Sequence, residues 1–228
     1  MVEREHPDRP RAPRQPTQLR GGDDLAGRKA GEGPARRARQ LQIRNPLLRV
    51  TARALGLRTR DLAWRIGAGG ERKVGRKLDR LRRRGWHVLH GVNFGRGGDV
   101  DHLLIGKAGV FTVNTKHHPG ARVTVGRSVV FVRGRQQPYA VKALREASRV
   151  RMALSAARGR PVNVEPLVVM HGHARLSGWL WHHPAGVRVL PSRVVTWWLW
   201  LHARPVLSAE EAEALYAAAC DPRTWRSA

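Results

Sequence analysis

The feature that most constrains the fold is a nearly continuous apolar run at residues 162–170. Such a run is typical of a strand that is covered on both faces, as in the centre of a parallel or mixed sheet. A strand in that position needs further structure packed above and below it. The run therefore predicts an α/β sandwich built around a mixed sheet.

The segments before this run supply the other parts of such a sandwich. Val74, Leu78 and Leu81 recur at spacings of four and three, which predicts a helix over residues 70–84 that ends at Gly85. Alternating segments and glycine-containing turns then predict three strands and a second hairpin, followed by a helix from Pro138 to about residue 158. The predicted strands are residues 86–92, 99–105, 110–116, 122–125 and 128–132.

The two ends of the chain differ in composition from this central part. Residues 1–45 mix Pro, Arg, Gly and Asp with few periodic apolar residues, which predicts a disordered basic arm. We expect a helical lead-in at 46–66, the main domain at 67–170 and an extension packed on it at 171–228. That extension is tryptophan-rich, with a helix near 191–202 and another that begins at Ser208, where Glu211 completes a capping box.

The charge of the chain points to a polyanionic partner. The formal net charge is +26, of which +5 falls in residues 1–45 and +21 in the remainder. The positive charge therefore lies mainly on the part that we expect to fold. A nucleic-acid backbone is the commonest partner for such a surface, although an anionic membrane surface also satisfies the charge.

Composition also bears on the compartment. The single cysteine, Cys220, excludes an internal disulfide framework and fits a reducing environment. The first residues contain no apolar segment of the kind that secretory signals carry. The tryptophan-rich apolar run at 194–201 has eight residues, whereas a helix that crosses a bilayer needs about 20. We therefore expect a cytoplasmic protein without a membrane span.

Five segments of the central part form a set of motifs in a fixed order. They are Gly67-Ala68-Gly69-Gly70-Glu71, Gly85-Trp86-His87-Val88-Leu89-His90, Asp99-Val100-Asp101-His102-Leu103-Leu104-Ile105-Gly106, Gly109-Val110-Phe111-Thr112-Val113-Asn114-Thr115-Lys116, and Pro138-Tyr139 through Glu146 to Arg149-Val150. In order and spacing they resemble the nuclease-related domain family, NERD, which is placed in the PD-(D/E)xK nuclease superfamily. The resemblance covers about 105 residues and implies a restriction-endonuclease-like fold.

The resemblance implies a metal-dependent DNA nuclease site. Asp101 fits the first acid of the family, Lys116 fits the lysine, and Glu71 resembles the glutamate of the first helix. Residues i and i+2 of a strand share a face, so positions 114 and 116 are expected to face the same way. Carboxylates in such sites bind Mg²⁺ or Mn²⁺, which activates water and neutralises charge as phosphate is attacked, and lysine supports that charge.

Position 114 departs from the family pattern, because Asn114 stands where the second acid is expected. An amide oxygen can bind a cation but brings no charge, and Asp99 lies on the same strand face as Asp101 if the strand is regular. The candidate metal ligands are therefore Asp101, Asn114, Glu71 and Asp99. An alternative is a zinc or manganese site that combines the histidines at 102, 117 and 118 with Asp99 or Asp101.

Three functions remain open from the sequence. The first is a Mg²⁺-dependent DNA nuclease. The second is a catalytically silent nucleic-acid-binding module, and the third is an interaction protein whose tryptophan-rich end binds a partner. For nucleic acid, the predicted contacts are the basic face of the first helix, formed by Arg72, Lys73, Arg76, Lys77, Arg80 and Arg83. The tryptophans at 179, 181, 197, 198 and 200 either stack on bases or belong to a core or an interface.

Overall fold

The computed structural model describes residues 25–27, 29–30, 60–94, 98–201 and 204–226, with side chains of the first helix from residue 66 onward. Most of the predicted arm at 1–45 and most of the predicted lead-in helix at 46–66 lie outside the described residues. Within the arm, Leu25 is buried and packs into a core cluster of the domain.

A five-stranded mixed sheet forms the centre of the domain. Its strands are β1 (His87–Asn93), β2 (Asp99–Gly106), β3 (Gly109–His117), β7 (Val164–His171) and β9 (Arg188–Pro191), and they lie in the order β1-β2-β3-β7-β9. The first three form an antiparallel meander, while β7 runs parallel to both β3 and β9. The apolar run at 162–170 therefore occupies a central position, as predicted.

One face of the sheet is covered by helix α1 (Arg60–Leu78), which continues as a 3-10 segment over Asp79–Arg84. Its predicted stripe of Val74, Leu78 and Leu81 is buried against strands β1 to β3, β7 and β9. Gly85 ends the segment with a φ of 77°, a left-handed conformation that favours glycine. The short helix α3 (Val195–Leu201) packs on the same cluster.

The other face is covered by α2 (Tyr139–Arg158) and α4 (Ala209–Cys220). Apolar residues of both helices pack with Leu103 and Ile105 of β2 and Val110 of β3. Ser208 caps α4, and the side chain of Glu211 closes the predicted capping box. Two layers of helix thus enclose the sheet, which confirms the predicted α/β class.

A second, smaller sheet joins β4 (Arg122–Val125), β5 (Val130–Val132), β6 (Arg135–Gln137) and β8 (Arg175–Ser177) in the order β6-β5-β4-β8. Its apolar face packs against Val168 and Met170 of β7 and Val189 of β9. The sequence predicted the β4–β5 hairpin. It did not predict β6, β8 or β9, which are three or four residues long and carry little periodic signal.

Two helices differ from the prediction in detail. The sequence predicted two helical segments here, but a single helix runs through Gly67 and Gly70. Because glycine has no side chain, α1 can approach the sheet closely at Gly70. A Cβ at Gly70 would lie 2.5 Å from the Cβ of His117. In α2, the apolar residues Val141, Leu144, Ala147, Val150 and Leu154 predict one buried face, but Val141 and Leu144 are exposed while the other three are buried beside Ala143 and Glu146.

Candidate active site

The strands bring three of the predicted site residues to one face of the sheet. His102 of β2 pairs with Val113 of β3, so Asp101 comes next to Asn114. The Oδ2 atom of Asp101 accepts a hydrogen bond of 2.5 Å from the backbone N–H of Thr115. Lys116 lies two residues beyond Asn114 and donates through Nζ to the Asn114 Oδ1 atom. The predicted convergence of these side chains is therefore present.

A fourth member of the cluster, Glu146 of α2, was not assigned to the site from the sequence. Its Oε2 atom accepts a hydrogen bond from Asn114 Nδ2, and its Oε1 atom lies 3.5 Å from Lys142 Nζ. Glu146 is 7% exposed. Glu146 lies three residues after Ala143 and four residues before Val150, so it falls on the apolar stripe of the helix. A carboxylate in an apolar stripe is unusual, and the sequence alone could have revealed it.

Burial shifts the pKa values of the charged groups toward their neutral forms. It raises the pKa of Asp101, and Asp99 adds to that effect while Lys116 opposes it. Burial likewise raises the pKa of Glu146 and lowers the pKa of Lys116. Desolvation thus disfavours the charged forms of two acids and a lysine in one cluster. Such an arrangement is typical of catalytic sites, where binding of an opposite charge restores the ionised forms.

The two remaining candidate ligands lie in different places. Asp99 begins β2 and is close enough to Asp101 to raise its pKa. Glu71 is 3% exposed and belongs to α1. That helix packs on the face of the sheet opposite to α2, and the role of Glu71 in metal binding stays a prediction.

The donor set fits a hard divalent cation. Asp101, Glu146 and the Asn114 amide offer oxygen atoms, which Mg²⁺ and Mn²⁺ prefer. In the described part of the chain, no three His, Cys, Asp or Glu side chains are grouped so that they could hold a metal by themselves. Mg²⁺ commonly takes one or two carboxylates and completes its shell with water and substrate phosphate. The residues present match that mode rather than a closed protein cage.

On the opposite face of β2 and β3, His90 and His102 form a hydrogen-bonded chain that ends at the carboxylate of Asp79. Asp79 Oδ1 accepts from His90 Nε2 at 3.1 Å, which leaves His90 Nδ1 as an acceptor. His102 Nδ1 therefore donates to His90 Nδ1 at 2.8 Å, and His102 Nε2 accepts from the Thr115 hydroxyl at 3.4 Å. Burial lowers the pKa of both histidines. Both rings are thus neutral and their tautomers are fixed by their partners.

The three histidines of the zinc alternative have separate partners. His102 is fully buried in the chain to Asp79, and His117 Nδ1 donates to the backbone oxygen of Ile66 at 2.7 Å. His118 Nε2 lies 2.7 Å from the hydroxyl of Tyr139. These contacts point in different directions, which argues against one shared metal.

The basic face of the first helix is exposed as predicted. Five of its six cations lie at the surface, namely Arg72, Lys73, Arg76, Arg80 and Arg83. Lys77 is partly buried and donates to the backbone oxygen of Ser192 at 3.0 Å. Gly70, two residues before Arg72, contacts His117, the neighbour of Lys116. The helix that carries the basic face therefore packs on the sheet face opposite to Asp101 and Glu146.

The tryptophans of the C-terminal extension divide into two groups. Trp198 is buried in the core with α1, and Trp179 is partly buried. Trp181, Trp197 and Trp200 are exposed by 79%, 59% and 54%. The core interpretation therefore holds for the first group, while the second is available for contact with another molecule.

Fold and site together describe a mixed α/β domain, with an acid on the second strand and a lysine on the third. The family model described as nuclease-related domain matches residues 66–171. This stretch of the chain is thus similar to the nuclease-related domain family, which is placed in the PD-(D/E)xK superfamily.

A short part of the chain is similar to a protein of Bacillus anthracis that is itself described as uncharacterized. The two are 38% identical over 61 residues, which make up 25% of this chain and 28% of that protein. The chain thus spans little more than a quarter of that relative. No solved structure matches the chain. None of the described helices is long and apolar enough to cross a membrane.

Proposed function

We propose that the domain hydrolyses phosphodiester bonds in DNA with a bound Mg²⁺ or Mn²⁺, as a cytoplasmic enzyme. The observation that carries the proposal is the contact of Glu146 with Asn114 beside Asp101 and Lys116. Glu146 provides, from helix α2, the carboxylate that position 114 lacks. The site therefore again has two carboxylates, one from Asp101 on β2 and one from Glu146 on helix α2.

The side chains have distinct roles in this proposal. Asp101 and Glu146 would hold the cation, and the Asn114 amide would offer a further oxygen. A bound metal would supply an activated water and neutralise phosphate charge. The Lys116 ammonium, which faces the same cluster, stabilises the charge that develops on the phosphate oxygens as water attacks. Tyr139, whose ring lies 5.3 Å from Lys116 Nζ, keeps that ammonium in place.

A silent nucleic-acid-binding module is the second candidate, and one observation favours it. The Lys116–Asn114–Glu146 network satisfies its own hydrogen bonds without a ligand. If that network is only structural, the basic face on α1 still binds phosphate through its exposed arginines and lysines. The two candidates differ in one measurable property, which is metal-dependent cleavage.

The test is a plasmid-nicking assay on the full chain with Mg²⁺, Mn²⁺ or EDTA. We expect nicking with either metal and none with EDTA. Asp101→Asn and Glu146→Gln are expected to reduce nicking below detection, because each removes a negative ligand. Glu165→Gln, an exposed acid-to-amide change on β7, is the matched control and should cleave like the parent.

Three outcomes separate the candidates. Loss of nicking in Asp101→Asn alone, with Glu146→Gln active, would remove Glu146 from the site while keeping the nuclease. Nicking that survives both changes would mean that a contaminant or another site is responsible. An inactive parent that still binds DNA in a salt-dependent manner would establish the silent module instead.

A further inference from the structure

A cavity lies at the opposite end of the β2–β3 hairpin from Asp101. It has a volume of about 510 Å³ and is lined by residues that include Arg84, Trp86, Lys107, Trp200 and Pro205. Six residues of extended strand separate Asp101 from Lys107, or roughly 20 Å at about 3.3 Å per residue. The cavity is therefore distinct from the candidate active site, and no assigned role covers it.

The walls of this cavity combine aromatic surface with positive charge. The ring of Trp200 is half-exposed, and the guanidinium carbon of Arg84 lies 5.5 Å from its centroid. Lys107 adds a second cation, and none of the described residues that line the cavity is acidic. An aromatic face with two cations beside it suits a flat, electron-rich ring that carries a nearby anion.

The cavity is held in shape by the surrounding fold. Trp86 is 7% exposed and packs against Gly106 at the start of the hairpin turn, where a Cβ would lie 2.8 Å from its ring. The backbone oxygen of Lys107 accepts hydrogen bonds from Val206 and Leu207, at 2.7 and 3.0 Å. Two walls of the cavity are thus tied to each other through the backbone.

The exposed basic face of α1 leads to this cavity. Its last cation, Arg83, and the neighbouring Arg84 belong to the 3-10 segment that ends at the cavity. A helix rises about 1.5 Å per residue, so the face from Arg72 to Arg83 spans roughly 17 Å. A polyanion lying along it would reach the cavity at its Arg84 end.

We propose that the cavity binds an unpaired nucleotide of a single-stranded or partly single-stranded nucleic acid. The base stacks on Trp200, and Arg84 and Lys107 contact its phosphates. A base in a duplex has both faces covered by its neighbours, so only an unpaired base can stack on a side chain. The inference rests on the proposed function and deepens it, because it names single-stranded ends or gaps as the preferred substrate class.

The experiment measures binding of a labelled oligothymidine of about 20 nucleotides, and of a duplex of equal length, to the full chain without metal. Trp200→Ala is expected to weaken binding of the single strand about tenfold, the size of one lost base–aromatic stack. Duplex binding should stay within about twofold. Arg84→Ala should flatten the log-affinity versus log-salt slope for the single strand by about 0.7. Trp181→Ala is the matched control, because Trp181 is exposed but does not line the cavity.

Equal single-strand affinity in Trp200→Ala and Trp181→Ala would overturn the proposal, and so would an equal loss for single strand and duplex in Trp200→Ala. Vesicles containing phosphatidylserine form a third arm. Loss of vesicle binding in Trp200→Ala, with oligonucleotide binding intact, would assign the cavity to a membrane surface instead.

The nicking assay distinguishes this inference from the proposed function. If the parent nicks plasmid and Trp200→Ala binds single strands normally, only the cavity proposal fails. If Trp200→Ala loses single-strand binding and the parent never nicks, only the nuclease proposal fails. A parent that binds neither oligonucleotide would overturn both.

Discussion

The two faces of the β2–β3 pair carry polar clusters of opposite character. On one face, Asp101, Asn114, Lys116 and Glu146 gather charges whose ionised forms are disfavoured by burial. On the other, two neutral histidines, His90 and His102, form a hydrogen-bonded chain with Asp79 and Thr115, in which each donor meets an acceptor. Asp101 and His102 are sequence neighbours, yet alternation along the strand sends them to different clusters.

This difference separates the residues that can do chemistry from those that hold the fold. Two buried, neutral and fully paired histidines stabilise the native state, since each would be costly to leave unpaired. A cluster of buried ionisable groups brings a desolvation cost, and such clusters are typical of sites that bind a charged ligand. Thr115 links the two clusters, because its N–H contacts Asp101 and its hydroxyl contacts His102.

The largest effect is expected from Lys116→Met. Methionine keeps the length of the side chain but removes the ammonium that faces the charged cluster, so cleavage should fall by about 100- to 1000-fold. Metal binding, measured by calorimetry with Mn²⁺, should change little.

The control for that change is Lys142→Met, because Lys142 is 57% exposed and contacts Glu146 from the solvent side. We expect it to lower cleavage by less than about tenfold, as suits a partly screened charge. A similar loss in both variants would mean that only the net charge of the region matters.

The second prediction concerns the histidine face. His102→Leu removes the partner of His90 Nδ1 in the interior, so the free energy of unfolding should fall by about 1–3 kcal/mol at pH 7. Cleavage by the folded variant should be retained. Asp101→Asn should do the reverse, abolishing cleavage without loss of stability, because the raised pKa means that the fold disfavours the ionised form. The measurement is chemical denaturation of each variant beside its nicking activity.

The pH dependence of stability is a second way to test the role of the histidine face. The pKa of His102 in the folded state lies well below its ordinary value of 6.5. Below about pH 6.5, His102 therefore binds a proton in the unfolded chain but not in the folded chain. The contribution of neutral His102 to stability is fully present above about pH 6.5 and is lost as the pH falls below it. His102→Leu should lose stability less steeply between pH 6.5 and 5 than the parent does. A slope as steep as that of the parent would show that His102 is protonated in the folded protein.

Much of the central architecture could be predicted from the sequence, because it follows from short-range periodicity. The β2–β3 hairpin, the position of Gly85 and the capping box at Ser208 each depend on residues close together in the chain. Alternation likewise placed Asn114 and Lys116 on one face.

The contributions of distant segments could not be predicted in that way. Glu146 lies 32 residues beyond Asn114, and only the packing of α2 on the sheet brings its carboxylate to the site. The short strands β8 and β9 depend on pairing with β4 and β7 rather than on their own sequence. The continuity of α1 through its glycines reflects close contact with His117, a tertiary reason that no helix propensity records.

The smallest effect is expected from Asn114→Asp, and it bears most directly on the charged cluster. The two side chains are nearly the same shape, but aspartate replaces the donor that Glu146 accepts from with a second carboxylate. Without metal, the variant should unfold at a lower temperature than the parent, since two acids now face each other in a buried site. Mg²⁺ should reverse that difference, and Mg²⁺ affinity should rise about tenfold because the added charge faces the cation. Calorimetry and thermal melts with and without Mg²⁺ measure both effects, with Asn163→Asp on an exposed loop as the control.

Cleavage measured on the same Asn114→Asp protein decides between the two functions. A rise in nicking together with metal affinity fits a nuclease in which Asn114 limits metal occupancy. Tighter metal binding with no nicking would favour the silent module, because the site would then hold a cation without using it. Equal Mg²⁺ responses in parent and variant would mean that position 114 is not part of the metal site. Because Glu146 is placed in that site by its hydrogen bond to Asn114, its proposed role as a metal ligand would then fail as well.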